Sequence, residues 1–173
     1  MFIRTERLFL RPGWPEERAE LAALIHGVQG LSEEALVRID APNSALYPQF
    51  SITLPGEQGA HLIGGVELIG AAGATTLEFW IAEGFRNQGF ATEAVRAVLA
   101  LARTLGHRNI AGWHFADDAA SGRVLGSAGF SANGQTRHCL HPSRDSSEPA
   151  LVYAVTLDEP GNCDDPDGLM RAA

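Results

Sequence analysis

The stretch LEFWIAEGFRNQGFATEAVRAVLALARTLGH, residues 77–107, constrains the fold more than any other. A strand-like apolar run stops at Glu83-Gly84 and RNQGFA follows. Then Ala91, Ala94, Val95, Val98, Leu99, Ala102 and Leu105 recur at three- and four-residue spacing, the period of a helix with one apolar face. Gly106 is a fitting stop for that helix. A strand that runs through a tight turn into a one-sided helix needs a sheet for the helix to cover, which places the chain in a mixed α/β class.

The rest of the pattern agrees. RLFLRP alternates like a short strand ended by Pro12. FSITL (50–54), HLIGGVELIG (61–70), TTLEFWIA (75–82), NIAGWHFA (109–116), QTRHCL and ALVYAVTL read as further strands. Pro15 to His26 reads as a helix: Pro15 suits its first turn, Glu16 and Glu17 its positive end, and Gly27 its close. Ser32-Glu33-Glu34 opens a shorter helix to about Ile39, and Asp117 or Asp118 caps one through about Ala128. Strands pair as hairpins at both ends around one strand–helix–strand unit. Residues 1–158 then form one domain, and 159–173 an acidic, solvated tail.

Several classes of function drop out. At 173 residues the chain holds one domain with a proper core. No apolar run approaches the ~18 residues of a membrane span. Arg4, Glu6, Arg7 and Arg11 break up any secretory leader. Cys139 and Cys163 make no disulfide framework, and no Cys/His spacing fits a zinc site, so no metal is expected. The expected compartment is the cytoplasm. The formal net charge is −8, and Asp158, Glu159, Asp164, Asp165 and Asp167 crowd the C-terminus. A mildly acidic body lacks the clustered cations that nucleic acid requires, and nothing calls for a membrane partner.

RNQGFA sits where α/β proteins bind phosphate. A helix N-terminus carries unpaired N–H groups and a partial positive charge. Gly89 lets an anion approach the backbone, Ala91 is nearly as small, and Arg86 adds a charge. Neither a Walker lysine nor G-x-G-x-x-G is present, which argues against nucleotide triphosphates and dinucleotides.

FWIAEGFRNQGFATEA resembles the acetyl-CoA signature R/Q-x-x-G-x-G/A of the GNAT acetyltransferase superfamily, in its RimJ/RimL-like branch. TERLFLRP resembles that branch's opening strand, and DDAASGRVLGSAGF its N-x-x-S-x-R-V-L-x-x-x-G-F segment. The likeness spans about residues 3 to 158. It implies a mostly antiparallel central sheet of about six to seven strands flanked by helices, with a splayed strand pair at the coenzyme site. It also implies acetyl-CoA as co-substrate, an amine acceptor (a small molecule or a peptide N-terminus) and a homodimer. Backbone amides of Asn87, Gln88, Gly89, Phe90 and Ala91, with Thr92 close by and Arg86 opening the motif, would hold the coenzyme diphosphate. Phe79, Trp80 and Ile81 fall on the strand whose backbone, bent by a bulge, pairs with the pantetheine arm; their side chains are expected in the core. Ser121 and Arg123 match the family's serine and arginine. With Asp118, which replaces the family's pantetheine-contacting asparagine, they are the expected coenzyme contacts on this segment; an ionised carboxylate accepts hydrogen bonds but donates none. Thr76 and Glu78 stand where the branch has its acidic residue and its glycine, and Leu125 where many relatives carry a tyrosine acid.

Acetyl transfer to an amine needs a neutral nucleophile, stabilisation of the developing oxyanion and a proton for the thiolate. Glu78, flanked by Leu77 and Phe79 on the strand face of Thr76 and Trp80, is the leading base. His138 and His141 compete, with His138 on the strand face of Leu140. Ser121 is the candidate acid. Cys139 has no evident base partner and fits direct transfer poorly. The alternative function is a coenzyme-A-binding module that has lost its acid and base.

Overall fold

The computed structural model describes residues 1–26, 44–57, 59–71, 74–141 and 146–157. Gly27, the helix expected over 32–39, Cys163 and the acidic tail lie outside them.

Eight strands make one sheet: β1 (Ile3–Arg4), β2 (Phe9–Arg11), β3 (Gln49–Gly56), β4 (Gly59–Ala71), β5 (Ala74–Ile81), β6 (Asn109–Phe115), β7 (Ser131–His141) and β8 (Ser146–Thr156), in the order β1-β2-β3-β4-β5-β6-β8-β7. The strand beyond the expected count is β1, whose two residues are too short to leave a pattern. Among the described residues three helices cover the sheet: α1 (Arg18–His26), α2 (Phe90–Thr104) and α3 (Ala119–Ser127). None is long and apolar enough to cross a membrane.

Side chains alternate across a strand, so the register assigns each residue to a face. Leu77 and Ile81 of β5 and Ile110 of β6 are buried with Ala94, Val95, Val98 and Ala102 of α2 and Leu125 of α3. That face holds the main core. Trp80, one residue out of phase, packs instead with Leu21, Leu24 and Ile25 of α1 and with Leu62. Its indole lies over Gly65, where even a Cβ would come within 2.5 Å of the ring nitrogen. The α1 face begins at a Pro15–Glu17 turn. There buried Arg11 stacks 3.8 Å from the Trp14 ring and donates to Glu17. Hydrogen bonding from Arg11 holds the Glu17 carboxyl below its usual range, against the opposing effect of burial.

Every strand pair is antiparallel except β5–β6. That pair meets only at Thr75–Ile110 and Thr76–Ala111. Beyond those residues β5 continues to Ile81 and β6 to Phe115 without pairing to each other. The result is the splayed pair expected of the fold. The bulge expected on β5 is not there: β4 and β5 pair in continuous register from Gly64–Ile81 to Ala71–Ala74. The register shift falls instead between β3 and β4, at Ile52/Thr53. Divergence from β6, rather than a bulge, is what leaves one edge of β5 free of ladder bonds.

Candidate active site

β5 delivers the chain to the site through a 3-10 turn at Glu83–Phe85. Asn87 (φ 60°) and Gly89 (φ 81°) then both take left-handed backbone, which winds the loop into the first turn of α2. Asparagine tolerates that region better than most residues, and glycine does so freely. Gly89 is the N-cap of α2 and, having no side chain, caps nothing. The amides at this helix start therefore have no side-chain acceptor of their own. Phe90 is buried, while Asn87, Gln88 and Gly89 are exposed and Ala91 and Thr92 half-buried.

Arg86 is exposed, but its Nε donates to the Ile81 carbonyl at 3.0 Å. That ties the guanidinium to the end of β5. The cation nearest Gly89 is Arg7, whose Nη2 lies 3.4 Å from the place a Cβ on Gly89 would take. TERLFLRP gave Arg7 no role beyond its place in an opening strand; the β1–β2 turn is what brings it to α2.

The start of α3 is built differently. Asp118 caps it, accepting from the Ser121 amide at 3.1 Å and the Ser121 hydroxyl at 2.6 Å. The acceptor-only character of a carboxylate at this position is thus used within the helix. Arg123, on the same helix, is exposed.

The structure separates the two candidate bases. Thr76 pairs with Ala111, Ala111 with Ala154, and four residues on, still in phase, Phe115 pairs with Ala150, which faces Arg137. Arg137 therefore shares the face of Glu78, and its guanidinium sits 5.2 Å from the Trp113 ring centre. His138 is one residue out of phase, so it lies on the opposite face, exposed, two strands beyond β6. Glu78 is half-buried and stands directly across from Glu67 of β4. Cys139 falls on the face of Glu78 and Arg137, half-buried.

Sequence reasoning also passed over His114. It is buried on β6, with Nδ1 2.7 Å from the Phe115 carbonyl. A carbonyl can only accept, so Nδ1 carries the hydrogen, and Nε2 has no partner among the described residues. That nitrogen faces Gly122 of α3, where an added Cβ would lie 2.8 Å away.

Residues 3–131 match the family described as Acetyltransferase (GNAT) domain. The chain belongs to the GNAT acetyltransferases. It is therefore an enzyme of acetyl transfer with acetyl-CoA as co-substrate, and its sheet and splay are those of GNAT structures. A GNAT acetyltransferase from Bacillus anthracis superposes with a TM-score of 0.69 at 22% identity, covering 90% of this chain and 98% of that one. RimL, the ribosomal L7/L12 α-N-protein acetyltransferase solved with coenzyme A, gives 0.75 at 18%, covering 91% and 99%. The ribosomal-protein-S5-alanine acetyltransferase of Vibrio fischeri gives 0.73 at 14%, covering 91% and 97%. At these identities the likeness is one of fold, consistent with the RimJ/RimL-like branch. No curated protein matches the chain.

Proposed function

We propose that the protein transfers the acetyl group of acetyl-CoA to a primary amine, on a small molecule or a protein N-terminus, by direct attack in a ternary complex. The observation that carries this reading is the wedge between β5 and β6 opening beside an uncapped, glycine-started helix. Amides of Asn87 to Ala91 would bind the diphosphate, with Thr92 alongside and Arg86 fixing the turn through Ile81. The free edge of β5 at Phe79, Trp80 and Ile81 would take the amides of the pantetheine arm. The coenzyme supplies the activated acetyl group, as a thioester.

In this reading the coenzyme enters on the face of α2 and α3, and the acceptor on the face of α1. Glu78, on the acceptor face, receives the proton lost by the amine. Glu67 across from it adds a second carboxylate to draw a cationic amine in. Ser121 lies on the coenzyme face, and its hydroxyl would turn from Asp118 to hydrogen-bond the departing thiolate, which takes its proton from solvent as Glu78 releases the amine's. His138 ranks behind Glu78 because it is exposed and on the wrong face for the acceptor.

The need for a base depends on the acceptor. At pH 7 roughly one α-amino group in ten is neutral, against about one lysine in a few thousand. Glu78→Gln should therefore lower turnover by roughly 10²–10⁴-fold on a lysine-like amine, and by less on an α-amine. The measurement is thiol release across free amino acids, polyamines, antibiotic amines and ribosomal-protein N-terminal peptides. The chain has no lysine, so acetylation of its own side-chain amines adds no background. Near wild-type turnover of Glu78→Gln on every acceptor would remove Glu78 as base. Coenzyme binding with no turnover on any acceptor would favour the binding-module alternative.

A further inference from the structure

The loop that opens α2 is held from outside by the turn between β1 and β2. The Thr5 hydroxyl donates to Glu93 Oε1 at 2.6 Å, and the Arg7 amide donates to the same oxygen at 2.9 Å. Arg7 Nε donates to Glu93 Oε2 at 2.8 Å, with Nη2 2.7 Å from that oxygen. Arg7 Nη1 donates to the Gln88 carbonyl at 3.0 Å, and the guanidinium lies 4.6 Å from the Phe90 ring centre. Two residues of the hairpin thus grip Gln88, Phe90 and Glu93, which bracket Gly89.

Glu93 is the telling member of this cluster. A carboxylate in the first turn of a helix favours the helix dipole, but beside an anion site it repels the ligand. The dipole also does not explain why three donors from 86 and 88 residues away converge on it. Those donors outweigh the cost of its burial and hold its carboxyl below the usual range. A lone exposed ion pair would contribute little. Here two guanidinium nitrogens share Glu93 Oε2 while a backbone amide and a hydroxyl take Oε1, and the cluster braces a loop with two left-handed residues.

We propose that Thr5, Arg7 and Glu93 are positioning residues of the coenzyme site, with Arg7 also supplying the cation nearest the diphosphate. This rests on the reading that Asn87 to Ala91 hold that diphosphate. The clamp keeps those amides in their anion-facing arrangement before the coenzyme arrives, so that binding does not have to order the loop.

Charge alone and the clamp predict opposite signs for one variant. Glu93→Ala removes a negative charge next to the anion site, so charge alone gives tighter coenzyme A binding. The clamp gives weaker binding, by about three- to tenfold. Calorimetric titration of coenzyme A into folded wild type, Glu93→Ala, Arg7→Met and Arg7→Lys reads this directly. Arg7→Met should bind about tenfold more weakly and show a shallower dependence on salt, because one cation has left the contact. Arg7→Lys should keep the salt dependence and still lose affinity, since an ammonium cannot reach the Gln88 carbonyl while forking onto Glu93. Equal or tighter binding by Glu93→Ala, or wild-type affinity in Arg7→Lys, overturns the clamp. An unchanged salt dependence in Arg7→Met overturns the direct contact. Gly89→Glu is the control for the underlying reading: if it binds as wild type, the diphosphate site itself is misplaced. If it abolishes binding while Glu93→Ala does not weaken it, only the clamp fails.

Discussion

The two helices that cover the wedge begin in opposite ways. At α3 the cap is internal: Asp118 satisfies the Ser121 amide with its own carboxylate. At α2 the cap position is Gly89, without a side chain, and the loop is braced by residues from another strand pair. A helix start that satisfies its own amides has less to offer an anion, and its carboxylate repels one. A start that leaves them unsatisfied holds binding capacity at the expense of local stability, so the bracing must come from elsewhere. On the proposed reading, the α3 start is built first for stability and the α2 start for holding the diphosphate.

The largest effect should come from placing a carboxylate at the open start. Gly89→Glu puts a side chain on left-handed backbone against Arg7 and sets a negative charge at the proposed diphosphate site. Like charges in contact cost several kcal/mol, so coenzyme A affinity should fall by at least about a hundredfold. The melting temperature should fall only by several degrees: left-handed backbone costs a side chain about 1–2 kcal/mol, and the exposed position disturbs no core. Asp118→Ala should act mainly on stability. Loss of the cap costs about 1 kcal/mol, or roughly 2–4 °C for a chain of this size, and coenzyme A affinity should change severalfold at most. An affinity loss in Asp118→Ala as large as that of Gly89→Glu would break the comparison and put a ligand group on α3 as well. Calorimetry and a thermal melt on the same preparations decide it.

How much of this could be read from residues alone follows from what is local. The α2 periodicity and the small residues at its start are contiguous, so the helix, the loop and the family were legible. A cap at Asp117 or Asp118 was legible for the same reason, and the structure selects Asp118. The bracing was not, because Arg7 and Glu93 lie 86 residues apart and neither sits in a pattern that announces the other. Alternation along β5 gave the face of Glu78, and alternation along β7 grouped His138 with Leu140. Only the register through β6 and β8 relates the two strands, and it sets Glu78 and His138 on opposite faces. The free edge of β5 was anticipated, but its cause was misread. A bulge and a diverging neighbour both release backbone groups, and apolar patterning does not distinguish them. The two-residue β1, and the His114 nitrogen without a partner among the described residues, left no trace in the pattern at all.

The smallest effects separate the glycines of α3 from the one that starts α2. Gly122 and Gly126 both lie within α3, on ordinary helical backbone, and neither needs left-handed freedom. Gly122 is there for space: a Cβ would meet His114 Nε2 at 2.8 Å and Cε1 at 3.1 Å. That ring is pinned by its bond to the Phe115 carbonyl and by Tyr153, with ring centres 5.3 Å apart, so it cannot simply swing away. Gly122→Ala should gain up to ~1 kcal/mol of helix propensity but lose roughly 1–3 kcal/mol to overpacking, for a net loss. Gly126 has nothing within 4 Å of the added atom. Gly126→Ala should therefore stabilise the fold by roughly 0.5–1 kcal/mol, with coenzyme A affinity unchanged. Chemical denaturation of the two variants measures both. A loss at Gly126 would show that α3 is held by more than its cap and its packing on His114, and that its glycines, like Gly89, serve something outside the helix.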